Sequence, residues 1–161
     1  MYKIQNKFVI AAAALVAFST PAMAKDAFTG TRVEVAAGYN DVTNVPSNRN
    51  FAYGVDAGYD VKILGPVTAG LEVGLDNILD RRDVNVGGRL GVALNGHTQV
   101  FADVGYDNFR DLAAHNLEGV RFGGGLQINV VGPVYTLVEY HRTDLGTTKK
   151  NAVAAGVGIR F

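Results

Sequence analysis

The chain has 161 residues, and its 15 basic and 15 acidic side chains give no net charge. It contains no cysteine, which excludes disulfides, thiolate metal sites and a lipid anchor on a cysteine. It has no basic excess that would attract nucleic acid, so we expect no nucleic-acid partner.

Residues 1–24 have the pattern of an export signal. Lys3 and Lys7 supply a basic start, and an apolar run of eleven residues leads to an A-x-A cleavage site that ends at Ala24. A membrane-spanning helix needs about 20 apolar residues, so the run is too short to be an anchor. We predict a cleaved signal peptide and one domain over residues 25–161, with 13 basic and 15 acidic side chains.

The remaining chain alternates apolar and polar residues with the period of two that a β-strand imposes. No stretch in it is apolar enough for a membrane helix, so a spanning structure must be a closed barrel. The alternation predicts eight strands, each near the length of about 9–11 residues with which a tilted strand crosses a membrane. They are Thr31–Asn40, Phe51–Ile63, Val67–Asp76, Val84–Leu94, Thr98–Tyr106, Val120–Val130, Val134–Arg142 and Asn151–Phe161.

The segments between these strands alternate in length. Three contain Asn-Gly or Gly-Pro, which favour tight turns, and they are 64–66, 95–97 and 131–133. The other four are longer and polar, and they are 41–50, 77–83, 107–119 and 143–150. Short turns at one end and long loops at the other are typical of barrels in bacterial outer membranes.

Glycine indicates which face of each strand looks inward. Most glycines lie on the polar faces, where on an exposed soluble surface they would weaken the strands without any gain in packing. Inside a narrow barrel they leave room for long charged side chains. We therefore expect the apolar faces to contact lipid. A periplasmic ligand-binding barrel, with its apolar faces turned inward, is the alternative.

The polar faces also carry charges of both signs near mid-strand. Buried charges are tolerated only when they are paired and hydrogen-bonded, so we expect a charge network that fills the lumen. Within it we expect Arg89, Arg121 and Arg160 each to pair with a carboxylate of the network. Its members are Arg32, Glu34, Asp56, Glu72, Arg89, Asp103, Arg121, Glu139 and Arg160.

Two segments resemble the outer-membrane β-barrel family of small eight-stranded proteins, which includes OmpA-like and OmpX-like barrels and opacity-type surface proteins. Residues 138–146, VEYHRTDLG, are similar to the penultimate strand and the start of the last loop, and residues 156–161, GVGIRF, to the C-terminal assembly signal. The resemblance implies an all-β fold, an eight-stranded antiparallel up-and-down transmembrane barrel. Because the last predicted strand ends at Phe161, we expect no OmpA-like periplasmic domain after it. The resemblance also implies that Gly156, Gly158 and Phe161 belong to the signal read by the outer-membrane assembly machinery.

The sequence offers little catalytic chemistry. A lipid-modifying barrel enzyme with a Ser-His-acid site would depend on Ser47, the only serine after residue 24. An Asp-His protease would have to draw on scattered loop residues. His97, His115 and His141 lack the spacing of metal ligands. We expect no enzyme, and no catalytic, cofactor-binding or metal-binding residues.

The expected function is therefore a structural or surface-interaction role of a non-enzymatic protein in the bacterial outer membrane, reached by export through the periplasm. A narrow small-solute pore is the alternative, disfavoured because side chains fill the interior of an eight-stranded barrel. The expected partners are membrane lipid and lipopolysaccharide, the assembly machinery and an unknown extracellular partner. Arg81-Arg82 and Lys149-Lys150 are candidates for contact with lipopolysaccharide phosphates.

Overall fold

The computed structural model of the chain describes residues 27–43, 49–78, 81–110, 116–146 and 148–161. The predicted cleavage site after Ala24 lies outside these residues, and so does Ser47. No helix among the residues described is long and apolar enough to cross a membrane. The strands are β1 Gly30–Val42, β2 Arg49–Leu64, β3 Val67–Ile78, β4 Arg81–Ala93, β5 Thr98–Arg110, β6 Asn116–Val131, β7 Val134–Asp144 and β8 Lys149–Arg160.

The eight strands form a closed barrel in which each strand runs antiparallel to its neighbours in the sequence. The last strand closes the sheet on the first, in a register that runs from Arg32 opposite Arg160 to Val42 opposite Lys150. Beyond that ladder, Thr31 and Phe161 exchange two backbone hydrogen bonds, of 3.1 and 2.8 Å. Closure leaves no strand edge exposed between β1 and β8. The predicted fold class is confirmed.

The two ends of the barrel differ in the segments that join the strands. At one end, here called the turn end, the connections are 65–66, 94–97 and 132–133. At the other, the loop end, they are 43–48, 79–80, 111–115 and 145–148. These four are shorter than the predicted loops, and 79–80 is as short as a tight turn. The prediction was wrong because backbone pairing continues through polar residues, after the apolar alternation has faded.

The predicted orientation of the two faces is confirmed. Apolar side chains on the outer face are exposed, for example Leu71 at 74% and Leu90 at 58%, whereas Arg32 on the inner face is 0% exposed. Glycine makes room inside at close approaches. A Cβ atom at Gly158 would overlap the ring of Tyr135, and one at Gly125 would lie 2.8 Å from Cζ of Phe101. The barrel therefore has a polar interior and an apolar exterior.

Candidate functional site

The interior is organised around the guanidinium of Arg32, which β1 directs into the barrel. Its Nε donates to Asp60 at 3.0 Å, Nη1 to Glu34 at 3.0 Å and Nη2 to Glu72 at 2.7 Å. These three carboxylates come from three different strands. Arginine suits this position because its planar fork presents donors in several fixed directions and stays charged when buried.

Arg160 extends the network toward the turn end. Its Nη1 donates to Asp60 at 2.8 Å and to the backbone oxygen of Phe28 at 2.9 Å, and its Nη2 donates to Gln127 at 3.2 Å. We expected Arg160 to pair with a carboxylate of the predicted network. That expectation was wrong, because the carboxylate that accepts from Arg160 is Asp60, which is not a member of the predicted network. Phe28 is itself buried, so the residues just before β1 cover this part of the barrel opening at the turn end.

Arg89 departs furthest from the prediction. The register places it directly opposite Asp103 on β5, but its Nη2 donates to Gln127 at 2.9 Å. Its guanidinium carbon lies 3.5 Å from the ring centre of Phe101, a cation–π contact that is strong where water is excluded. The described contacts of Arg89 are thus with an amide and an aromatic ring, and the predicted carboxylate pair is wrong.

Arg121 occupies the middle of the barrel. It donates to Glu72 at 2.7 Å as predicted, so Glu72 bridges Arg121 and Arg32. Its Nε lies 3.8 Å from Asp103 and 3.7 Å from Asp107. These distances are too long for hydrogen bonds but close enough for electrostatic attraction.

His141 contacts two members of the predicted network. Its Nε2 lies 3.2 Å from Asp103 and 4.0 Å from Glu139. Asp56 and Glu139 line a cavity of about 50 Å³ together with Asp76 and Arg121. Among the described residues, no arginine forms an ion pair with Asp56 or Glu139. The nine predicted residues therefore all lie inside, but not all of them pair with one another.

The position of the Lys150 side chain differs from the prediction. As the last residue of the predicted loop 143–150 it was a candidate for lipopolysaccharide phosphates, but its side chain is buried inside the barrel. Its Nζ forms a hydrogen bond with Asp83 and lies 3.4 Å from Asp107, which also accepts from Thr143 at 2.7 Å. The neighbouring Lys149 is exposed. Lys150 therefore neutralises interior carboxylates.

Several interior residues were missed by the sequence reasoning. Asp60 was placed on the polar face but left out of the network because it lies beyond mid-strand. Tyr135, buried in the lumen, donates to Glu34 at 2.6 Å and was hidden by the weak alternation of its strand. Asp83 and Asp107 were assigned to loops. Continuing the period of two by a few residues past each predicted strand end would have found both.

The predicted assembly residues lie at the pairing of β8 with β1 that closes the barrel, here called the seam. Gly156 and Gly158 face inward on β8, and Phe161 is 39% exposed at the point where the chain pairs with Thr31. Within the part of the chain that the structure describes, no three His, Asp or Glu side chains are grouped to hold a metal ion. The arrangement can hold the strands together and fill the lumen.

The model of one protein family, described as outer membrane protein beta-barrel domain, matches residues 10–161. Among solved structures, Neisserial surface protein A has 15% identity and a TM-score of 0.62, over 83% of this chain and 98% of that one. Ail of Yersinia pestis, in complex with the heparin analogue sucrose octasulfate, has 13% identity and a TM-score of 0.52, over 82% and 99%. The outer membrane enzyme PagL has 11% identity and a TM-score of 0.58, over 80% and 99%. No curated protein matches the chain.

Proposed function

Since the chain belongs to the outer membrane protein beta-barrel domain family, we propose that it is a non-enzymatic integral protein of the bacterial outer membrane. Its role is structural or one of surface interaction, carried by the connections at the loop end. The export signal in residues 1–24 brings it to the periplasm, and the assembly machinery inserts it. Lipid and lipopolysaccharide surround it, and an extracellular partner meets the loop end.

The observation that carries this proposal is the filled interior. Arg32, Glu72 and Arg121 form a continuous bridge across the lumen, and all three are buried. A conducting path for solutes would have to break this bridge. The exposed apolar belt outside matches the apolar band of outer-membrane barrels, and tyrosines such as Tyr39 and Tyr140 lie toward the loop end, where an aromatic girdle belongs.

Planar-bilayer conductance separates this proposal from a small-solute pore. We expect the refolded parent to insert, as judged by different gel mobility of boiled and unboiled samples, without stable conductance steps. Stepwise conductance of the parent would favour the pore. As a matched control, Arg32→Ala combined with Glu72→Ala removes the bridge, and any conductance of that variant shows that the assay detects an opened lumen.

The enzyme alternative has a separate test. The fold itself does not decide, because the structurally similar proteins include the enzyme PagL. His141 faces the interior beside Asp103, away from any lipid substrate at the outer face. Incubation of the refolded protein with lipopolysaccharide should release no fatty acid, and Ser47→Ala should behave like the parent. Fatty-acid release that Ser47→Ala abolishes would contradict the proposal.

A further inference from the structure

An arginine on the outer face of the barrel, Arg142 on β7, has no partner among the residues that the structure describes. Its neighbours His141 and Thr143 contact carboxylates in the lumen, so the period of two turns Arg142 outward. Its side chain is half-buried, and it forms no hydrogen bond, ion pair or ring contact with the described part of the chain. A guanidinium has five donors. Their acceptors must therefore come from outside the described chain.

Aromatic side chains fix the level of Arg142 in the membrane. The register places Arg142 directly opposite Phe122 on β6, and Tyr140 precedes it by two residues on the same face of β7. Both rings are exposed on the outer face. Exposed aromatic rings mark the boundary between the apolar band of a barrel and the lipid head groups. Arg142 lies on the loop-end side of Tyr140, so its guanidinium reaches the head groups at that end.

Asn151 supplies a second donor beside Arg142. The two residues stand directly opposite each other on β8 and β7, a pairing that brings their Cβ atoms to about 4.5–5.5 Å. The Oδ1 atom of Asn151 accepts from the hydroxyl of Tyr140 at 2.9 Å. The amide nitrogen Nδ2 has no acceptor among the residues described. Its two hydrogens are therefore available to a ligand that contacts Arg142.

Lys149 adds a second positive charge on the same face. It lies two residues before Asn151 on β8, and its side chain is exposed. Its backbone oxygen accepts from N and Oγ1 of Thr43, at 3.0 and 2.8 Å, and these bonds hold Lys149 to the seam. Arg142, Asn151 and Lys149 thus form a group of donors on two adjacent strands, here called the rim site.

Two carboxylates lie near the rim site without neutralising it. Asp144 stands directly opposite Lys149, but its Oδ1 accepts a backbone hydrogen bond at 3.0 Å within the connection that follows β7. Asp41 stands opposite Asn151 on β1, two strands away from Arg142. Within the described ranges, neither carboxylate forms an ion pair with a cation of the rim site. Both cations therefore keep their charge for an anion from outside the chain.

We propose that the rim site binds a phosphate group of lipopolysaccharide. This proposal rests on the proposed function, because it requires the loop end to face the cell exterior, where lipopolysaccharide forms the membrane surface. The planar fork of Arg142 matches two phosphate oxygens, Lys149 adds a point charge, and Nδ2 of Asn151 adds a neutral donor. The rings of Tyr140 and Phe122 contact the acyl chains below the bound phosphate.

Titration with lipopolysaccharide in phosphatidylcholine vesicles tests this proposal. The urea midpoint of unfolding should rise with the lipopolysaccharide fraction, because a ligand that binds only the folded barrel stabilises it. Arg142→Gln should weaken the apparent affinity at least about threefold, an effect that the loss of even an exposed charge pair can have. Lys62→Gln, which removes an exposed cation at the turn end, should leave the affinity unchanged. Lipopolysaccharide stripped of its phosphate groups should bind the parent as weakly as intact lipopolysaccharide binds Arg142→Gln.

Two results would overturn the proposal. One is equal affinity of the parent and Arg142→Gln for lipopolysaccharide, which leaves the proposed function intact if the parent inserts and closes its barrel. The other is an equal effect of Arg142→Gln in vesicles with phosphatidylglycerol, which would show that any anionic lipid suffices.

A gel-mobility difference between boiled and unboiled samples establishes that each protein has closed its barrel. If Arg142→Gln does not close, the parent decides: equal affinity for intact and phosphate-free lipopolysaccharide overturns the rim site. If the parent itself does not insert, the proposed function fails, and the rim site fails with it.

Discussion

The buried guanidinium of Arg32 gives the sharpest test of how the interior is held together. Arg32→Met keeps most of the side-chain length but removes the charge, and it leaves Glu34, Asp60 and Glu72 without their shared cation. Removal of one partner from a buried ion pair costs about 3–5 kcal/mol. We expect a loss of that size in the free energy of unfolding. Urea titration of the barrel in lipid bilayers measures it, followed by far-ultraviolet circular dichroism because the chain has no tryptophan.

A double-mutant cycle with Glu72→Gln shows whether the loss comes from the network. Because Glu72 accepts from Arg32, the two changes together should cost less than their sum, with a coupling of about 0.5–3 kcal/mol. The control pairs Arg32→Met with Glu118→Gln, which alters an exposed carboxylate on β6 and should be additive within about 0.5 kcal/mol. A loss below about 1 kcal/mol for Arg32→Met, the range of exposed ion pairs, would refute the reasoning.

Three further changes test the lipid face, a buried hydrogen bond and the seam. Leu90→Arg should lower the free energy of unfolding in bilayers by about 2–4 kcal/mol, because Leu90 faces lipid near the middle of the membrane. Leu94→Arg at the turn end, near the membrane surface, should lower it by only about 0–1 kcal/mol. Equal losses for the two variants would contradict the placement of Leu90 near the middle of the membrane. Tyr135→Phe removes the hydrogen bond to Glu34 and should cost about 1–3 kcal/mol by urea titration, and a neutral result would contradict the bond. Deletion of Phe161 removes the last backbone pair of the seam, and the exported chain should accumulate in the periplasm; normal insertion would contradict an assembly role.

The strands and their faces could be predicted from the sequence because both follow from local pattern. Alternation fixes which residues share a face, and glycine opposite charged groups indicates which face is crowded. The strand ends could not be predicted in the same way. At the polar rim of the barrel, Asp83 follows Arg81 and Arg82, and Lys150 lies between Lys149 and Asn151. The alternation of hydrophobicity therefore disappears there while the backbone ladder continues.

The pairing of interior charges was only partly predictable, for a different reason. Long side chains reach across the lumen, so a residue's partner is not set by its own strand. Arg89 lies opposite Asp103 in register but turns to Phe101 and Gln127. Asp60 accepts from Arg160, which is 100 positions away in sequence. Closure of the barrel creates such neighbours, and no spacing in the sequence encodes them.

Cysteine labelling in whole cells tests most directly whether the barrel spans the outer membrane with its loop end outside. The chain has no cysteine, so Thr43→Cys at the loop end and Gly96→Cys at the turn end each introduce a single thiol at an exposed position. A membrane-impermeant maleimide should label Thr43→Cys in intact cells, and Gly96→Cys only after the cells are lysed. Labelling of Gly96→Cys in intact cells, or of neither thiol until lysis, would contradict the proposed topology.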